Sequence, residues 1–249
     1  MNPSASHTFE QLPGMKGMML RAALPAGKGP LKDGQTIPRI EATVPRTLIL
    51  PKDLARYRQV CGFVAGERVP PTWLQVLAGP LHMAILADKS FPLPAMGIVH
   101  VRNRIDQFEP ISIADTIELC AYVEGHRPHK RGVEFDLITE ARRAGEVVWR
   151  AETTVLSMAG NKAGGKKSGK TTTQSAPGEL PNRTHSVIWP VAEDQGRKYG
   201  AVSGDRNPIH LYALSAKLFG FNRAIVHGMW SLGRCVAELE ELTEQHNVR

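Results

Sequence analysis

Ser203-Gly204-Asp205-Arg206-Asn207-Pro208-Ile209-His210 is the stretch on which the reading of this chain turns. Gly204 permits a backbone angle that other residues resist. Pro208 keeps Asn207 out of the helical region, so the segment reads as a bend ahead of a helix. Residues 213–219 follow with helical spacing. Asp205 and His210 then face each other across the bend. A carboxylate can hold a water or take its proton, and an imidazole can do either near neutral pH. Asp and Asn ahead of a helix also serve as caps, and a nearby His can simply bond a carbonyl. Spacing alone leaves both roles open.

Further out, the surroundings of this stretch occur twice. Tyr199-Gly200-Ala201-Val202-Ser203-Gly204 matches Tyr57-Arg58-Gln59-Val60-Cys61-Gly62 as Tyr-x-x-Val-small-Gly. Ile225-Val226-His227-Gly228 matches Val76-Leu77-Ala78-Gly79, each before a helical run, 229–241 and 80–88. Val187-Ile188-Trp189-Pro190 and Leu48-Ile49-Leu50-Pro51 precede them. Three matches in one order predict a duplicated module. After the shared glycine the first copy continues Phe63-Val64-Ala65-Gly66-Glu67, without the polar cluster. One half is chemical and the other supportive.

The first copy carries more secondary structure. Residues 46–50 read as a strand stopped by Pro51, 52–60 as a short helix, and 80–88 as a buried helix with Pro in its first turn. Four strand-like runs follow, at 98–105, 116–123, 133–140 and 146–158, with a turn at 142–145. A helix followed by an antiparallel meander is an α+β pattern. His126, His129, Lys130 and Arg131 form a polar cluster expected at a solvated turn. The predicted organisation is an irregular leader over 1–39, a first module over 40–158, a Gly/Ser/Thr/Lys linker over 159–180, and a second module over 181–249.

Composition narrows the partners. The net charge of +7 comes from 31 Lys and Arg against 24 Asp and Glu. Lys162, Lys166, Lys167 and Lys170 sit together in the linker, and no basic helix with interleaved aromatics appears, so nucleic acid is not an expected partner. A phosphate-bearing small molecule accounts for the excess equally well. Cys61, Cys120 and Cys235 have neither metal-site nor disulfide spacing and read as thiols in a reducing cytoplasm. No run reaches the roughly 20 apolar residues of a membrane helix, and residues 1–14 do not read as a secretory signal.

Tyr199-x-x-x-Ser203-Gly204-Asp205-x-Asn207-Pro208-Ile209-His210, then Ala216 and Phe219-Gly220, then Ile225-Val226-His227-Gly228-Met229, resembles the signature of (R)-specific enoyl-CoA hydratases and MaoC-like dehydratases. The N-terminal half resembles the degenerate first module of double-hotdog members. The resemblance implies a tandem hotdog fold, with antiparallel sheet wrapped round a central helix. It implies reversible hydration of trans-2-enoyl-CoA to (R)-3-hydroxyacyl-CoA, with CoA part of the substrate, no other cofactor and no metal. Carried over by position, Asp205 and His210 hold one water. One takes its proton as it attacks C3, and the other delivers a proton to C2. Asn207 positions the pair, and the Gly228 amide at a helix N-terminus binds the thioester oxygen. Tyr199, Ser203, His227 and Arg223 are the substrate-binding candidates. Packing is the alternative role for Tyr199, a structural role is the favoured reading for Ser203 and bracing of the loop for His227, and Arg223 is offered for a CoA phosphate. A homodimer is implied by analogy alone. Competing expectations are a dehydratase for carrier-protein thioesters or a specialised catabolic acid, and a non-catalytic acyl-thioester-binding or partner-binding module.

One departure stands out. The first copy runs on from Gly79 through four strands, whereas the second has only its helix after Gly228, so the second hotdog reads as incomplete. The apolar sides of that helix need a cover. The expectation is a truncated chain; strands from another chain, or a first-module sheet covering both helices, are the alternatives.

Overall fold

Alternation drives the sheet. In Thr116–His129, Ile117, Leu119, Ala121 and Val123 fall on one buried face, as a period of two requires. The computed structural model describes residues 4–23, 28–95, 98–158, 186–217 and 221–245. The expected linker, the start of the second module at 181, and Phe219-Gly220 lie outside them. Six strands form one sheet: β1 (Ala5–Thr8), β2 (Ile40–Leu48), β3 (Ile98–Gln107), β4 (Thr116–His129), β5 (Gly132–Arg143) and β6 (Glu146–Ser157). Their order is β1-β2-β4-β5-β6-β3, with β1 parallel to β2 and every other pair antiparallel. The β5–β6 hairpin closes on Ala144 and Gly145, both at positive φ (52° and 88°), as its two-residue turn demands.

Four helices accompany this sheet: α1 (Met15–Ala23), α2 (Pro51–Cys61), α3 (Trp73–Leu77) and α4 (Gly79–Ala87). α4 is apolar at nearly every position, so it needs cover on all sides. Leu81 and Ile85 are wholly buried, and β2, β4 and α1 pack against it. This helix held by a curved antiparallel sheet is the hotdog arrangement. Four further helices follow: α5 (Gln195–Ser203), α6 (Pro208–Leu211), α7 (Ala213–Lys217) and α8 (Gly228–Gln245).

The repeat has structural counterparts. α2 and α5 each end on a left-handed glycine, Gly62 at φ 84° and Gly204 at φ 76°, and each buries its tyrosine. The rings of Tyr57 and Tyr199 lie 6.3 Å apart.

Three expectations need correction. Residues 1–39 are not an irregular leader: β1 extends the sheet in register with β2, and α1 covers α4. β1 is only four residues long, and the Met and Gly of α1 blur its periodicity. The strand expected at 46–50 is β2, which starts earlier because Pro45 falls where the β2–β4 register shifts, a position that tolerates a missing amide donor. Of the cluster expected at a solvated turn, Lys130 and Arg131 do form the exposed β4–β5 turn, but His126 and His129 lie on β4, which runs on through His129. There Arg127 bridges Asp136 (2.6 Å) and Glu134 (2.9 Å), and Arg102 reaches Glu134 at 2.7 Å.

α8 is covered by α2. At Gly233 a β-carbon would lie 2.9 Å from the Tyr57 hydroxyl and 3.2 Å from the Cys61 sulfur, so the two helices meet backbone to side chain. The Trp230 Nε1–H donates to the Val60 carbonyl at 3.0 Å. Among the described residues no strand follows α8, and the one sheet lies wholly within residues 5–157. No helix among them is long and apolar enough to cross a membrane.

Candidate active site

α5 lays a bare backbone against the bend. A β-carbon on Gly196 would overlap the His210 carbonyl, and one on Gly200 would lie 2.7 Å from the Asp205 carbonyl. The spacing Gly196-x-x-x-Gly200-x-x-x-Gly204 marks this face, and the reading of the sequence passed over it. Gly204 ends α5, with its N–H on the Gly200 carbonyl at 3.1 Å.

A chain of short-range hydrogen bonds shapes the bend. The Ser203 hydroxyl donates to the Tyr199 carbonyl (2.9 Å) and accepts from the Asp205 amide (3.2 Å). The Asp205 carboxylate accepts the Asn207 amide on Oδ1 at 3.0 Å. Asn207 in turn caps α6 by accepting the Ile209 amide at 3.4 Å, with Pro208 in the first helical position. The capping role therefore does belong to Asn207. It also leaves the second carboxylate oxygen of Asp205 outside the local turn.

His210 sits on α6, and its Nδ1 meets the Ile225 carbonyl at 2.7 Å. A carbonyl can only accept, so Nδ1 carries the proton and Nε2 is left as a base. His227, just before α8, places Nε2 3.1 Å from the Asp205 carbonyl and 3.7 Å from Asp205 Oδ2. The two imidazoles stack with centroids 3.8 Å apart. One side-chain donor atom from each of Asp205, His210 and His227 lies within 4.8 Å of the others. These are also donor types that could hold a cation.

Burial separates the roles. The Asp205 side chain is 49% exposed, whereas His227 is 3% exposed. Burial lowers the His227 pKa to about 4; the Asp205 charge opposes this and His210 adds to it. His227 is thus neutral at pH 7 and braces the bend through the Asp205 carbonyl. Tyr199 lies behind it, ring centroids 4.9 Å apart, and is 2% exposed. Of the roles weighed for Tyr199 and Ser203, the geometry fits packing and a structural role rather than substrate binding. Tyr199 is core, and the Ser203 hydroxyl is engaged with backbone. Gly228 is exposed and opens α8, whose first amides have no partner within the helix. Arg223 is exposed in the segment leading to α8. Sequence reading also missed His100. It stands where the β3–β6 register shifts, and its pKa is lowered by the surrounding protein, with the Arg102 carbonyl and Asp205 opposing.

A half-exposed carboxylate and an imidazole with a free Nε2, beside a helix N-terminus, can exchange protons with a substrate while the helix end stabilises developing negative charge. Comparisons with known proteins point the same way. Residues 170–248 match the model of the MaoC like domain. The chain is 33% identical over 227 residues to 3-hydroxyacyl-thioester dehydratase X of Mycobacterium tuberculosis, spanning 91% of this chain and 79% of that protein. The crystal structure of HtdX from Mycobacterium tuberculosis superposes with a TM-score of 0.67 at 32% identity, covering 81% of this chain and 77% of that one. The full-length peroxisomal multifunctional enzyme type 2 of Drosophila melanogaster shares the fold, with a TM-score of 0.58 at 22% identity over 86% of this chain and 39% of that one. The chain belongs to the MaoC-like dehydratase family, a family of hydro-lyases with the hotdog fold.

Proposed function

We propose that this protein adds and removes water across the C2–C3 bond of acyl thioesters, interconverting trans-2-enoyl-CoA and (R)-3-hydroxyacyl-CoA. The observation that carries the reading is the convergence of Asp205 and His210 beside the start of α8. In the hydration direction, one water oxygen bonds to C3 as one member of the pair takes its proton. The other member supplies a proton to C2. The thioester oxygen gathers negative charge between these events, and the Gly228 amide is the donor placed to meet it. Asn207 holds the Asp205 carboxylate in place through its backbone N–H. Arg223 is the candidate contact for a CoA phosphate, and the assembly is a cytoplasmic homodimer.

The test is hydration of crotonyl-CoA, followed by loss of enoyl-thioester absorbance. Asp205→Asn and His210→Ala should each lower kcat by about 10²–10⁴, the usual contribution of general acid–base groups, with the fold retained. Equal rates in wild type and both variants would sink the mechanism. A comparison of kcat/KM on CoA and carrier-protein thioesters separates the two carriers.

A further inference from the structure

Met15 opens α1, in an N-terminal segment far from the residues that match the MaoC like domain. Its half-buried side chain occupies the space beside two glycines. A β-carbon on Gly204 would lie 2.8 Å from Met15 Cγ, and one on Gly79 would lie 2.5 Å from Met15 Cε. Gly79 starts α4 in the first module, and Gly204 immediately precedes Asp205. One methionine thus fits between the head of α4 and the bend that carries the carboxylate. The bend's polar side is held by Ser203, Asn207 and His227. Met15 supplies apolar support at Gly204.

We propose that Met15 is a positioning residue: it wedges α1 between Gly79 and Gly204 and so fixes the aim of Asp205. This rests on the dehydratase reading above. Met15 does not touch the reacting atoms; it acts through Gly204. Gly79 is then explained by this neighbour, Gly204 (already a glycine for its left-handed φ of 76°) receives the same side chain, and the N-terminal segment becomes part of the catalytic architecture. Small displacements of a catalytic group are costly, since about 1 Å can lower a rate by about a hundredfold.

The experiment compares Met15→Ala with Met15→Leu in the full chain. Leucine keeps a Cγ beside Gly204, although a branched one, but lacks the reach of the methionine Cε to Gly79. Met15→Ala should lower kcat about tenfold or more, with KM changed less than about twofold, and Met15→Leu should recover most of it. Amide exchange supplies a readout that needs no turnover. The Asn207 N–H, bonded to Asp205 Oδ1, should exchange about tenfold faster in Met15→Ala and near the wild-type rate in Met15→Leu. If wild type turns over no thioester, the dehydratase reading fails, and exchange still decides the contact. A third variant, Gly79→Ala, pushes Met15 from the opposite side. Its kcat should fall, and adding Met15→Leu should restore it. Unchanged kcat and exchange in Met15→Ala would overturn the proposal. So would equal losses in Met15→Ala and Met15→Leu that merely follow thermal unfolding.

Discussion

Asp205 and His210 lie five residues apart, and most of what fixes them is backbone. The His210 carbonyl rests on Gly196 and the Asp205 carbonyl approaches Gly200, so α5 has no room for side chains at those two positions. Gly196→Ala must displace either α5 or the His210 peptide. Overpacking of this kind costs about 1–3 kcal/mol, and the displaced imidazole loses its geometry as well. The expected result is a kcat on enoyl thioesters reduced by about tenfold or more, together with a lower Tm. Steady-state kinetics beside thermal unfolding checks both, and an unaltered kcat would show that the bend is held some other way. The polar cluster itself was legible from Asp-x-Asn-Pro-x-His. The bracing role of His227 was legible as the favoured reading, and its burial agrees with it. Substrate binding and packing stayed open for Tyr199, because spacing says that it neighbours the site, not which way it faces.

At the scale of elements, the α2–α8 contact covers one side of α8, at Trp230, Gly233 and Ala237, and leaves Leu239 exposed. Gly233 lets α8 approach Tyr57 and Cys61, and Trp230 anchors α8 to the Val60 carbonyl. Gly233→Val inserts a branched side chain where even a β-carbon is crowded. It should destabilise the protein by about 1–3 kcal/mol, a drop of several degrees in Tm. Trp230→Phe removes the one indole hydrogen bond and should cost about 1 kcal/mol, or roughly 2–4 °C. Because α8 begins at Gly228, activity should fall further in Gly233→Val than in Trp230→Phe; calorimetry and kinetics on the same samples check the ranking. The strands were legible because their alternation is strict, as in β4. The contact between α2 and α8 was not. The apolar spacing of α8 announces a buried side but not its partner; the lack of a second sheet was itself read from the sequence, and no strand follows α8 among the described residues. β1 and α1 escaped notice because a four-residue strand carries little periodic signal and the nine residues of α1 include three Met and a Gly.

For the whole molecule, two buried imidazoles set a common sensitivity to acid. His82 on α4 bonds Thr139 at 2.7 Å, and burial lowers its pKa to about 4, with His100 adding to the effect. His227 is lowered to about 4 as well. In the unfolded chain both return to about 6.5, so between these values the unfolded state binds more protons than the native state. Stability then rises with pH across that interval. It is fully present above about pH 6.5 and is lost progressively as the pH falls towards 4. The loss is on the order of 3 kcal/mol for each imidazole over the whole interval. The depressed carboxylates, Asp88 and Asp136 among them, act in a separate window: their contribution fades as pH falls below their unfolded values near 4. The slope between pH 6.5 and 4.5 therefore reports the histidines. Urea unfolding at half-unit steps should show stability falling with acid in wild type. His82→Gln and His227→Gln should each remove part of the slope, even where they lower the plateau at pH 7; His100, whose pKa is lowered as well, supplies a further share. A slope that neither variant changes would mean that other groups take up the protons, and that these two sites are open to water in the native protein.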